Sequence, residues 1–171
     1  MLGYAEATGD IFAVQDADDL SMPDRLERAV QAFERDPKLD VFCHGLYVNM
    51  WMPTFLCMLR EYRKNPRIDV DTLLKQQTLN GAVIFRRKVL EKKPLRMKTQ
   101  YAYDWMMHLD WVLSGFKYKL EDRGLYEYVR QENSLSARNE RSGDRHKSLL
   151  QMSKILKEEY KKEFKPLDWE L

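Results

Sequence analysis

The sequence predicts an α/β domain in which a mixed, mostly parallel sheet is flanked by helices and followed by a C-terminal helix. Three observations point there. Short apolar runs of strand composition, "IFAVQ", "DVFCHGLYVN" and "GAVIFRR", alternate with stretches of helical periodicity. An acidic cluster, "DADD", directly follows the first of those runs. The chain has 171 residues, 44% of them hydrophobic and 12% aromatic, which supports one domain with a real core and excludes a disordered chain.

The elements follow in order. "MLGYAEATGD" has an apolar stripe of Leu2 and Ala5 and a natural stop at Gly9, so it reads as the end of a helix. "IFAVQ", residues 11–15, is apolar on both faces, as a central parallel strand would be. Ser21 and Asp24 have capping-box spacing around Pro23, and Leu26, Ala29, Val30 and Phe33 set the buried stripe of the helix that follows. A second strand spans 40–49, and a short helix is expected at "DVDTLLKQ" inside the poorly legible stretch 50–79. "GAVIFRR" (81–87) is a strand, and "VLEKKPL" a short helix or turn. "YAYDWMMHLDWVLSG" (101–115) is a helix stopped by Gly115. "FKYKL" (116–120) and "LYEYVR" (125–130) alternate as two strands at the sheet margin. Leu149, Met152, Leu156 and Tyr160 mark a helix from about Arg145. Residues 1–140 are expected to form the domain, with 141–171 a helical extension packed on it.

Composition narrows function. With 29 Lys+Arg against 27 Asp+Glu the net charge is +2, so the chain has no nucleic-acid footprint. Cys43 and Cys57 lack metal or redox spacing, read as buried thiols, and suggest a reducing compartment. The expected location is therefore cytoplasmic. The apolar run "YVNMWMPTFLCML" suits burial or a partner, with peripheral contact at the inner membrane face as an alternative. It is too short to span a membrane.

Three features sit where chemistry can use them. Asp16 and Asp18, two apart at a strand end, can converge, and two hard oxygen donors suit Mg²⁺ or Mn²⁺ completed by phosphate oxygens. The plainer alternative is that these carboxylates cap the following turn, the role expected of Asp19 and Asp24. Asp104 opens an aromatic helix beside Tyr103 and Trp105, where partial desolvation would favour a general base. Its alternative is a solvated first-turn carboxylate, and Asp110 is a rival for the base, although its mid-helix place leads us to expect it solvated. Arg130, Asn133, Ser134 and Ser136 form a polar cluster able to hold a phosphate or a hydroxylated ligand, or simply a turn. His44 and His108 read as satisfied core histidines, and His146 as solvated.

Together these stretches resemble the family 2 glycosyltransferases, which have the GT-A fold of nucleotide-diphospho-sugar transferases. "GYAEATGDIFAVQDADDLSMPDRLERAVQAFERDPKLDVF" is similar to the family's middle segment, a strand into D-x-D-D followed by P-x-R-L and a D-P turn. "LNGAVIFRRKVLE", "YAYDWMMHLDWVLSGFKY" and "YVRQENSLSA" resemble later family segments in the same order. The resemblance implies transfer of a sugar from a nucleotide-diphosphate sugar to an acceptor hydroxyl of a glycan, a lipid-linked or a protein acceptor, with inversion. It implies Asp16 and Asp18 as metal ligands, Asp16 and Arg130 as nucleotide-sugar contacts, and Asp104 as the catalytic base. Gly81 and Arg86 match positions near the acceptor and the sheet. Tyr103 stands where the family usually has Glu, and "RQENSLS" lacks the family's His. The family's opening strand and nucleotide-base-reading segment have no counterpart here, so the chain is expected to be a C-terminal part of the catalytic domain. The other reading is a non-catalytic remnant that binds carbohydrate or metal.

Overall fold

The computed structural model describes residues 2–52, 57–63, 68–130, 138 and 142–166. It divides into two compact units interleaved along the chain: residues 1–65, 81–94 and 116–130, and residues 66–80, 95–115 and 131–171.

The first unit carries the sheet. Helix α1 (Leu2–Glu6) leads into β1 (Ile11–Ala13), β2 (Leu20–Ser21), α2 (Arg25–Arg35), β3 (Val41–Met52) and β4 (Cys57–Arg63). After the second unit's first segment come β5 (Ile84–Arg86) and α4 (Arg87–Lys92), and β6 (Tyr118–Arg130) ends the unit. The strand order is β1-β5-β3-β6-β2, with β4 paired to β3. The sheet is mixed, as expected, but its balance is reversed. Only the β3–β6 ladder is parallel among the described strands, and β1–β5, β3–β5, β3–β4 and β2–β6 are antiparallel.

Two expectations about the strands are corrected. β1 is no central parallel strand: it ends the described order, pairs antiparallel with β5, and exposes Ala13. The two marginal strands of 116–130 are one strand, β6, lying between β3 and β2. The polar residues expected to separate them are absorbed as irregularities, where Gly45 faces Gly124 and the register shifts on both sides of Gly45. A Cβ at Gly124 would run into the ring of Tyr47, so the crossing needs glycine there.

The buried face of α2 is also rotated from the expected stripe. Arg25, Ala29, Ala32 and Phe33 are buried, while Leu26 and Val30 stand 55% and 42% exposed. Leu26→Ala is therefore expected to change unfolding free energy by less than about 0.5 kcal/mol, checked by urea denaturation. Ala29, Ala32, Phe33, Leu39, Phe42, Ile84 and Leu125 form one core cluster, joined by Ile11. The Asp24 side chain does not cap α2 and Ser21 lies in β2, so no capping box forms. Asp24 instead accepts from Arg28 one turn on, at 2.5 Å. Arg86, at the end of β5, donates to the carbonyls of Leu39 (2.9 Å) and Phe33 (3.0 Å) and lies over the Phe33 ring, a fastening role.

The second unit holds α3 (Val70–Leu73), a 3₁₀ turn at Met97–Ala102, α5 (Tyr103–Leu113) and α6 (Asp144–Tyr160). α5 is buried from Trp105 through Trp111, as an all-round apolar helix must be. It stops where expected, at Gly115 with φ +79°. Leu149, Met152 and Leu156 give α6 its buried face, as the sequence predicts. The Trp105 indole N–H donates to the Leu73 carbonyl at 2.7 Å, and its ring meets Phe164 edge-on. No helix among the described residues is long and apolar enough to cross a membrane.

Candidate active site

Carboxylates of the first unit are sorted by the turn between β1 and β2. Asp16 and Asp18 are exposed, whereas Asp19 is only 7% exposed. Asp19 Oδ1 accepts from the backbone N–H of Val129 at 2.9 Å, and its carboxylate is also hydrogen-bonded by the Tyr126 hydroxyl. The turn itself closes with the Asp19 N–H on the Asp16 carbonyl at 3.3 Å. Asp19 is thus a buried anchor of the turn on β6, more than the turn and helix-start carboxylate expected from sequence.

Partial desolvation on its protein-facing side raises the Asp16 carboxyl from its ordinary value. The Asp18 charge adds to that rise, and the Arg25 guanidinium opposes it. Burial likewise raises Asp19, against the lowering by its Val129 and Tyr126 hydrogen bonds. Carboxylates crowded in this way favour either a proton or a cation. Among the described residues no three His, Cys, Asp or Glu side chains form a metal-binding group. The two exposed carboxylates do not make a complete protein cage; as a pair of hard oxygen donors they would suit a cation whose other ligands are phosphate oxygens and water.

Arg25 underlies this turn, and sequence reasoning gave it no role. It is 1% exposed. Its NH2 donates to the Val14 carbonyl at 2.7 Å, its NH1 to Ser21 Oγ at 2.9 Å, and its Nε to His44 Nε2 at 2.9 Å. The guanidinium stacks 4.8 Å from the Tyr126 ring centroid. His44 is fully buried, as expected of a core histidine. Because its Nε2 accepts, the proton sits on Nδ1 and is given to the Gly45 carbonyl at 2.9 Å. The clue in the sequence was Arg25 itself, a charged residue on the apolar side of an amphipathic helix.

In the second unit Asp104 occupies the first turn of α5 and is half-buried. Gln77 Nε2 donates to its Oδ2 at 2.6 Å, and the Trp105 N–H donates to its Oδ1 at 2.9 Å. N–H donors on both oxygens favour the ionised form, which a base requires. Gln77 lies in the stretch that sequence periodicity left unread. Asp110, expected to be solvated, is 2% exposed and paired with Arg96 at 2.6 Å. A buried, neutral His108 sits with Nε2 3.0 Å from the Asn80 carbonyl. Arg130 ends β6, but its side chain and Asn133, Ser134 and Ser136 lie outside the described residues.

Comparison with solved structures and families, and not the sheet alone, assigns this mixed sheet and its acidic turn to a GT-A-like nucleotide-sugar transferase fold. A crystal structure of S. aureus TarS 1–349 matches with a TM-score of 0.60 at 11% identity, covering 92% of this chain and 43% of that one. A structure of S. aureus TarS matches at 0.59 with 12% identity, covering 92% of this chain and 26% of that one. The chain thus spans less than half the length of each. No curated protein matches it. The family model described as "Glycosyl transferase family 2" matches residues 1–96, more than half the chain. The chain belongs to glycosyl transferase family 2.

Proposed function

We propose that the protein transfers a sugar from a nucleotide-diphosphate sugar to an acceptor hydroxyl, with inversion at the anomeric carbon and with Mg²⁺ or Mn²⁺ held by Asp16 and Asp18. The observation that carries this reading is the sorting of the acidic turn. Its buried carboxylate, Asp19, is bound to β6, and its two outward ones remain available to a cation. When bound, the cation supplies charge neutralisation for the departing diphosphate. Asp16 serves the donor as well as the metal, and Arg130 the donor phosphates. Asp104 takes the proton of the acceptor hydroxyl as that oxygen bonds to the anomeric carbon and the bond to the diphosphate breaks. Gln77 and the Trp105 N–H hold its two oxygens for this step. The supporting contacts of Asp16 and of Asp104 are each confined to one unit, and the role of Arg130 rests on the family resemblance alone.

The acceptor class, a glycan or a lipid-linked or protein hydroxyl, is inferred from the family resemblance. A cytoplasmic setting is inferred instead from cysteine usage, with the free, buried thiol of Cys43 in keeping with a reducing compartment. The test is calorimetric titration of the folded chain with Mn²⁺ and then a nucleotide sugar. Asp18→Ala is expected to weaken Mn²⁺ binding at least tenfold. Equal binding by Asp18→Ala and wild type would remove the metal site. Binding without release of nucleoside diphosphate in the presence of acceptors is the result expected of a non-catalytic remnant.

A further inference from the structure

The acidic turn is tied at both ends to one side chain that itself faces no solvent. Arg25 grips Val14 before the turn and Ser21 after it, and its NH1 also reaches Gln15 Oε1 at 3.3 Å. Ser21 Oγ donates to the same Gln15 oxygen at 2.5 Å. Held by its carbonyl end, Gln15 directs its amide N–H groups onto the backbone carbonyls of Asp16 (2.9 Å) and Asp19 (3.0 Å). The Asp16 N–H donates to the Tyr126 hydroxyl at 2.9 Å, and the Tyr126 ring lies against the guanidinium. His44 takes the remaining Nε–H and sets the plane of the fork. The backbone around Asp16 is therefore bonded through Gln15 and Tyr126 to a single planar cation.

We propose that Arg25 is the positioning residue of the acidic turn, setting the backbone path of residues 14–21, and so the aim of Asp16 and Asp18, through the fork of its guanidinium. The inference rests on the metal reading of Asp16 and Asp18. Charge does not explain the residue, because a buried cation beside Asp16 opposes a second cation there. The fork does, since it offers donors in several fixed directions within one plane. A lysine keeps the charge but cannot reach Val14, Gln15, Ser21 and His44 together.

Two readouts on the purified chain separate these roles. Hydrogen exchange followed by mass spectrometry is expected to show amides of 14–21 exchanging at least tenfold faster in Arg25→Lys, with those of β3 and β5 unchanged. Mn²⁺ affinity, measured with the metal alone, is expected to fall at least tenfold in Arg25→Lys. An electrostatic role predicts instead that Arg25→Lys binds Mn²⁺ like wild type and Arg25→Met binds it more tightly, and this outcome overturns the proposal. Unchanged protection of 14–21 in Arg25→Lys overturns it whatever Mn²⁺ does. A loosened turn in a protein whose wild type binds no Mn²⁺ removes the metal reading and reduces Arg25 to a turn anchor. Should Arg25→Lys fail to fold, Gln15→Ala, at an exposed position, breaks the same relay. It is expected to speed exchange of 16–19 at least threefold, and no change there rejects the relay.

Discussion

Asp110→Ala is expected to destabilise the protein by about 3–5 kcal/mol, the cost of breaking a buried ion pair from one side. Asp110 Oδ2 meets Arg96 Nε at 2.6 Å and Oδ1 meets Arg96 NH2 at 3.1 Å, a two-pronged pair. Oδ1 also accepts from the Tyr160 hydroxyl at 2.6 Å, so one carboxylate joins α5 to the end of α6. Arg96 keeps a second partner in Glu159 at 2.5 Å, which places the loss toward the lower end of the range. The two carboxylates together hold the guanidinium even above its usual high range, the Glu159 hydrogen bond contributing most. Glu159 is 45% exposed, so Glu159→Ala should cost less than about 1 kcal/mol. Denaturant midpoints of the two variants give the comparison. Equal losses would show that burial of Asp110 does not govern its worth.

Much of the fold was legible because helices carry their own signals. The apolar density of α5, its stop at Gly115 and the Leu149, Met152, Leu156 stripe of α6 are local features, and each element stands where they place it. Strand direction is not local. Nothing in "IFAVQ" states that Ile11 will pair with Arg86, or that the pairing runs antiparallel. "FKYKLEDRGLYEYVR" reads as two strands because a polar, glycine-ended stretch usually turns. It continues as one strand because Gly45 on β3 meets Gly124 there. The stripe of α2 misled for a related reason. A buried arginine is improbable on the helix alone, and Val14, Ser21 and His44 supply the acceptors that make it stable.

For the candidate site, residue type singled out the acidic turn and Asp104 as candidates, but not the contacts that surround them. Asp18 and Asp19 are neighbours of the same chemistry. They separate because the N–H of Val129, 110 positions away, meets Asp19. Gln77 became relevant only through its contact with Asp104, 27 positions on. Asp110 was misread because a mid-helix carboxylate is ordinarily solvated, while its partners lie 14 residues before and 50 after it. In each case the type of residue was visible and the distant partner was not.

Acid is expected to weaken the protein well before ordinary carboxylates titrate. Burial pushes His44 and His108 down to about 4 from an ordinary value of 6.5. The unfolded chain then binds protons below pH 6.5 that the folded chain refuses until about pH 4, so stability falls as pH falls through this window. At pH 5 each histidine accounts for about 2 kcal/mol of lost stability, or about 4 kcal/mol for the pair. Asp16 and Asp19 act in the opposite sense, since desolvation, with neighbouring carboxylates adding to it, raises their carboxyls, and protonation relieves that cost in the folded chain. Urea midpoints at pH 7 and pH 5 measure the sum, and His108→Gln should roughly halve the difference. A midpoint that does not move between those two values would mean that the histidines take protons without unfolding. His44 links this loss to the acidic turn. Protonation converts the Nε2 that accepts from Arg25 into a donor, setting two cations against each other at a 2.9 Å contact. The exchange protection of residues 14–21 should therefore fall at a higher pH than that of the β5 amides, because the fork loses its acceptor before the sheet loses its ladder.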